Sequence, residues 1–154
     1  MNDGDREIID HFIWVREQTM ELLRRVPQEF LTRTPDGEDH KLSFLFAHAG
    51  CSGSWWMHNV LGAGGPEHHS SPDDRQSLLA EMESWRDRVV SFFEADDGER
   101  MGQTFSPTDE SGTTREWTGR NRLLYFAGHE VHHHGRIVLA LRQCGFTNFP
   151  WPGC

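Results

Sequence analysis

Four histidines fall within six residues, His129-Glu130-Val131-His132-His133-His134, the densest part of a set of ten in 154 residues. Imidazole is the commonest side-chain ligand of transition metals. On an α-helix, residues four apart share a face with Cβ atoms about 5–6 Å apart, so two imidazoles can meet one ion at about 2.0–2.1 Å. His129 and His133 form such a pair. They share a stripe with Phe126, Ile137 and Ala140, which directs them into a core. His132 falls on the neighbouring row with Tyr125, Gly128 and Arg136, and His134 lies closer to Leu123, Ala127 and Leu141.

The third candidate ligand is His48, which lies on an apolar stripe between Leu45 and Ser52. A single histidine in such a place is more often a hydrogen-bonded core residue than a ligand. An inward-facing pair on another helix reverses that balance. Three neutral imidazoles from two helices leave a coordination position open for water or substrate, as in catalytic zinc sites.

His129-Glu130-Val131-His132-His133 also matches H-E-x-x-H, the helix of zinc proteases in which the glutamate is general base. Those sites take a third ligand downstream, yet residues 135–154 hold no Asp, Glu or His. Cys144 lies about 16 Å further along the helix at 1.5 Å per residue. The third ligand must come from upstream, which disfavours a protease. Glu130-x-x-His133 resembles half of a di-iron carboxylate site, but no second E-x-x-H follows. One ion is expected. Glu130 is the candidate general base, although support of a ligand or a surface position is the more frequent use of such a residue.

Four segments carry apolar residues at helical spacing and would position these groups. The first runs through Ile8, Phe12, Val15, Leu22 and Val26 and ends at Pro27 and Thr34-Pro35-Asp36-Gly37. The second begins between Asp39 and Ser43, reaches about Val60, and stops at Gly62-Ala63-Gly64-Gly65-Pro66. The third has Ser71 as N-cap, Pro72 in the first turn and Asp73 and Asp74 at the positive end of the dipole, and runs to Asp96-Asp97-Gly98. Residues 98–117 lack helical period and read as a long loop, with a short hairpin around Asp109–Gly112. Thr118 caps a fourth helix that reaches about Gln143 and stops at Cys144-Gly145. The expected fold is all-α, a four-helix bundle in one domain over residues 1–154.

Composition narrows the partners. A net charge of −9 with one lysine, Lys41, excludes the basic surface that nucleic acid requires. Six Trp and ten Phe supply bulk to a core whose hydrophobic content is only 36%. Three cysteines, Cys51, Cys144 and Cys154, with no CxxC suggest a reducing compartment. The first residues have neither a basic nor an apolar leader segment, and no apolar run is long enough for a bilayer. A cytoplasmic protein without membrane contact is expected.

Several other groups carry bland readings. His68-His69 sits in a polar loop, and Trp55-Trp56 could line a ligand pocket, although bulky groups at helical spacing are more often core. Arg24-Arg25 and Arg86/Arg88 read as solvated faces, and Cys51 as a small buried thiol. His58 is about 15 Å along the helix from His48, too far for the same ion.

Leu45-Phe46-Ala47-His48, Trp55-Trp56 and His129-Glu130-Val131-His132-His133-His134-Gly135-Arg136 together resemble the DinB/YfiT-like family of metal-binding four-helix bundles, over nearly the whole chain. The family pattern has one histidine on the second helix and H-x-x-x-H on the fourth, followed by a basic residue, Gly and Gln. His48, His129 and His133 match the ligands. The chain departs at His134, where Arg is usual, and at Arg136, where Gln is usual. The resemblance implies one divalent transition-metal ion, zinc or nickel foremost and iron or copper as alternatives, and a homodimer. It further implies a small-molecule substrate. Some members resemble transferases or isomerases that use a low-molecular-weight thiol, and others metal-dependent hydrolases. The expected function is a thiol S-transferase, with a hydrolase or a non-catalytic metal-binding or interaction protein as alternatives.

Overall fold

A computed structural model describes the chain except for Ser52, Gly64, residues 66–69, 109–111 and 150–154. Helix α1 (Asp3–Arg25) starts where Asn2 accepts the Asp5 backbone N–H at 3.0 Å, and a one-turn helix α2 (Gln28–Leu31) follows Pro27. Helices α3 (Leu42–Cys51), α4 (Ser54–Asn59) and α5 (Arg75–Glu94) come next. The chain then passes through a 3₁₀ turn (Ala95–Gly98), α6 (Glu99–Gly102) and two short strands, β1 (Thr104–Phe105) and β2 (Trp117–Thr118). Helix α7 (Gly119–Gln143) completes the bundle. Helices α1 and α3 each pack against both α5 and α7. No described helix is long and apolar enough to cross a membrane.

The four-helix reading holds, with local differences. The expected second helix is divided into α3 and α4 around Gly53. Gly53 is pressed against two core rings: a Cβ there would lie 2.6 Å from Trp85 Cζ2 and 2.7 Å from Phe126 Cε1. Gly53→Ala is therefore expected to cost about 1–3 kcal/mol by overpacking, read as a lower urea midpoint with an unchanged slope.

The third helix begins later than Ser71. Asp73 accepts hydrogen bonds from Lys41 Nζ and Ser43 Oγ, both at 2.7 Å, which ties it to the start of α3. Asp74 becomes the cap and accepts the Ser77 N–H at 2.8 Å. At the other end Asp96, Asp97 and Gly98 all take left-handed backbone angles, which terminates the helix where the turn residues suggested. The segment expected as loop or hairpin contains the antiparallel pair β1–β2 and a bridge between Thr108 and Thr114. Residues 109–111 of the expected hairpin tip lie outside the described residues. Thr118 caps α7 as anticipated, accepting the Asn121 N–H at 3.2 Å.

The core is built around aromatic edges. Phe12 from α1, Trp85 from α5 and Phe126 from α7 meet edge to face at 5.7 and 5.5 Å between ring centroids. Such contacts add about 0.5–1.5 kcal/mol each to the burial of the rings.

Candidate metal centre

Helix α7 runs through the bundle with its inward stripe on Arg122, Phe126, Glu130, His133, Ile137 and Ala140. His129 flanks that stripe one turn before His133, and their Nε2 atoms lie 3.1 Å apart. His48 enters from α3, its ring 4.6 Å from that of His133 and 5.4 Å from that of His129. One ligand-capable atom from each of the three lies within 4.8 Å of the other two. They form the one such cluster of His, Cys, Asp and Glu among the described residues. Tetrahedral bonds near 2.1 Å place ligand nitrogens about 3.4 Å apart. The His129–His133 spacing already suits an ion, and small side-chain rotations close the rest. The donor set fits a borderline-soft divalent ion.

The remaining histidines go elsewhere. His132 is exposed, with its ring edge-on to His133 at 5.1 Å. His134 turns toward α1, where its Nδ1 meets Thr19 Oγ1 at 3.2 Å. His58 Nδ1 meets the Gly65 carbonyl at 2.8 Å. His68 and His69 lie outside the described residues.

Burial and the neighbouring imidazoles push His133 down to about 4, and burial lowers His129 as well. Both rings are neutral at neutral pH, the state in which they present lone pairs to a metal. The sign of the pH effect follows. An unfolded histidine titrates at 6.5, whereas folded His133 titrates at about 4, so across that interval the unfolded chain takes up a proton that the folded one refuses. Metal-free protein should lose melting temperature as pH falls through this window, and His133→Ala should lose less. A variant as pH-sensitive as the parent would contradict the assignment.

Glu130 is not a surface residue. It is fully buried, with Oε2 3.0 Å from Nη2 of equally buried Arg16, and it stands outside the histidine cluster. Arg16 lies over the Trp85 ring at 4.7 Å. Nothing in the histidine spacing announced this pair, but Arg16 falls on the α1 stripe with Ile9, Phe12, Thr19 and Leu23. A charge in the middle of an apolar stripe was the available signal. Cys51 is buried, and its thiol is pushed up to about 12, chiefly by desolvation. It is therefore a protonated core group.

Two bland readings need correction. Trp55 is exposed and Trp56 half-buried, and both line a cavity of about 320 Å³ together with Trp117, Arg122 and Tyr125. They wall the cavity, where the Trp56 ring meets Trp117 of β2 edge to face at 6.2 Å, and Trp56 also packs against the core. Arg88 is half-buried rather than a solvated face: its Nε and Nη1 are buried with no hydrogen-bond partner among the described residues. Arg24, Arg25 and Arg86 do lie in ion pairs with Glu17, Glu21, Glu83 and Asp87. The cavity adjoins the histidines through Tyr125, whose ring centroid is 6.0 Å from that of His129.

Known proteins share this arrangement of helices. The model of the DinB family matches residues 1–151. Uncharacterized protein YjoA of Bacillus subtilis strain 168 is 24% identical over 147 residues, 94% of each chain. The crystal structure of that DinB-like protein superposes with a TM-score of 0.68 at 20% identity, covering 94% of this chain and 96% of YjoA. A DinB-like protein from Bacillus cereus ATCC 10987 gives a TM-score of 0.74 at 16% identity, with 95% of each chain covered. A protein from Exiguobacterium sibiricum 255-15 assigned to the DinB family gives 0.68 at 17% identity over 96% of both chains. These structural likenesses speak for the fold.

Proposed function

This chain belongs to the DinB family, and on that premise we propose that it holds one divalent transition-metal ion on His48, His129 and His133 and acts as a low-molecular-weight-thiol S-transferase. The observation that carries the reading is the convergence of three imidazoles from α3 and α7 with no carboxylate or thiol joining them among the described residues. That donor set leaves a position open to an exogenous ligand. Zinc or nickel suits it, and iron or copper is compatible with the same nitrogens.

When bound, the ion would supply positive charge that favours the thiolate form of a small thiol over the thiol. The protein's own groups prepare the place. His129 and His133 are held neutral by burial, so they bind without first shedding protons. Glu130, the base that an H-E-x-x-H hydrolase would use, is engaged by Arg16. That contact favours thiol transfer over hydrolysis. Cys51 stays protonated, so the reacting sulfur comes from the small molecule. The aromatic cavity beside Tyr125 offers room for a substrate, which favours turnover over a purely structural ion.

Tag-free, metal-loaded protein incubated with a panel of small thiols and monochlorobimane should conjugate at least one of them faster than His133→Ala. Equal rates for the two proteins across the panel would remove the transferase reading.

A further inference from the structure

Arg122 is 2% exposed, yet no ion pair or hydrogen bond to its guanidinium is present among the described residues, and its Nε is buried without a partner. Its surroundings are rings. The guanidinium carbon lies 3.2 Å from the Trp56 centroid, 4.2 Å from Trp117, 4.8 Å from Tyr125 and 5.8 Å from Phe126. Cation–π attraction offsets part of the cost of burying the charge, but it supplies no acceptor for the fork of N–H donors. Other arginines of the chain do have one: Arg16 has Glu130, and Arg120 has Asp5, with Nη2 2.9 Å from Oδ2. Burial lowers the Arg122 pKa to about 10, which leaves it cationic at neutral pH.

The cavity that Arg122 lines also contains Arg115, and among the described residues that line it none is a carboxylate. Positive lining is notable in a chain of net charge −9. Its volume of about 320 Å³ lies at the small end of ligand sites. The flat walls of Trp56, Trp117 and Tyr125 suit a planar or apolar body, and the guanidinium suits a planar anion gripped through two N–H groups.

We propose that this cavity binds a small carboxylic acid with an apolar, preferably aromatic, body, its carboxylate seated on Arg122. The cavity is the one that the proposed function gives to the substrate, so the inference rests on that reading for its place in turnover, although the binding itself does not require the metal. Arg122, Tyr125 and His129 lie three and four residues apart on α7, and seven residues span about 10.5 Å of helix. A molecule anchored at Arg122 and about that long would bring its far end to the histidines.

The test uses metal-free protein, which separates it from any failure of metal binding, and calorimetry with 4-phenylbutanoate and its neutral amide as probes. The acid should bind about 10–100-fold more tightly than the amide, the range that a hydrogen-bonded charge supplies. Arg122→Gln should erase that preference, whereas Arg115→Gln should retain most of it. Should Arg122→Gln not fold, phenylglyoxal labelling of the parent protein decides: the acid should shield Arg122 from modification and the amide should not. Equal affinity for acid and amide, no binding of the acid at millimolar concentration, an acid preference surviving in Arg122→Gln, or absence of shielding would each overturn the proposal.

Discussion

Replacing His133 with alanine is expected to weaken binding of a divalent transition metal by at least about 100-fold, since disturbing even an outer partner of a metal ligand costs about 10–100-fold. The size of the effect follows from position. His133 is the most buried of the three imidazoles and lies next to both of the others, 4.3 Å from His129 and 4.6 Å from His48 between ring centroids. Its loss leaves a half-buried pair on two helices, which is too few protein ligands for a tight site. His132→Ala, one residue away and exposed, serves as the contrast and should bind metal like the parent. Competition with a chromophoric chelator reads both. Equal loss in the two variants would mean that the cluster holds metal loosely through whichever imidazoles are available.

Arg16→Met should be the most destabilising single change at the centre of the bundle, lowering the unfolding free energy of metal-free protein by about 3–5 kcal/mol. The cause is what remains behind. Glu130 is fully buried, and without Arg16 its carboxylate faces apolar core with no counter-charge. Burial already pushes the Glu130 carboxyl above its ordinary value while Arg16 pulls it back. In the variant only the Thr19 hydrogen bond still opposes burial, so the folded protein favours the protonated acid. The deficit should grow as pH rises and shrink as pH falls. The double change Arg16→Met with Glu130→Leu removes both charges and should recover most of the loss, because well-packed apolar groups replace a buried pair at little cost. Urea unfolding at two pH values tests this; a single variant as stable as the parent would show the pair to be energetically idle.

This pair also shows where sequence reasoning stopped. The bundle was legible because apolar residues recur at helical spacing and because Thr118 and Gly145 mark the ends of α7. His48, His129 and His133 were legible because each lies on or beside an inward stripe. Arg16 and Arg122 also lie on inward stripes, of α1 and α7, but charges at such positions usually mark interruptions of the pattern rather than parts of it. Their meaning depends on which residue another helix brings opposite them: Glu130 for Arg16, a group of rings for Arg122. The division between α3 and α4 was hidden for a related reason. Gly53 is compatible with a helix locally, and only its approach to Trp85 and Phe126 shows why no larger residue sits there. The late start of α5 likewise depends on a long-range contact, Asp73 with Lys41 and Ser43.

The central claim is that α3 and α7 bring three imidazoles to one point so that a metal ion can occupy it. Tag-free protein should be equilibrated in turn with zinc, nickel, iron and copper, dialysed, and assayed for metal by elemental analysis, with X-ray absorption on the loaded sample. The account predicts one ion per chain in a shell containing three imidazole nitrogens. Protein that retains no metal from any of the four solutions, or that retains it with sulfur or carboxylate in place of the His48 nitrogen, would contradict it.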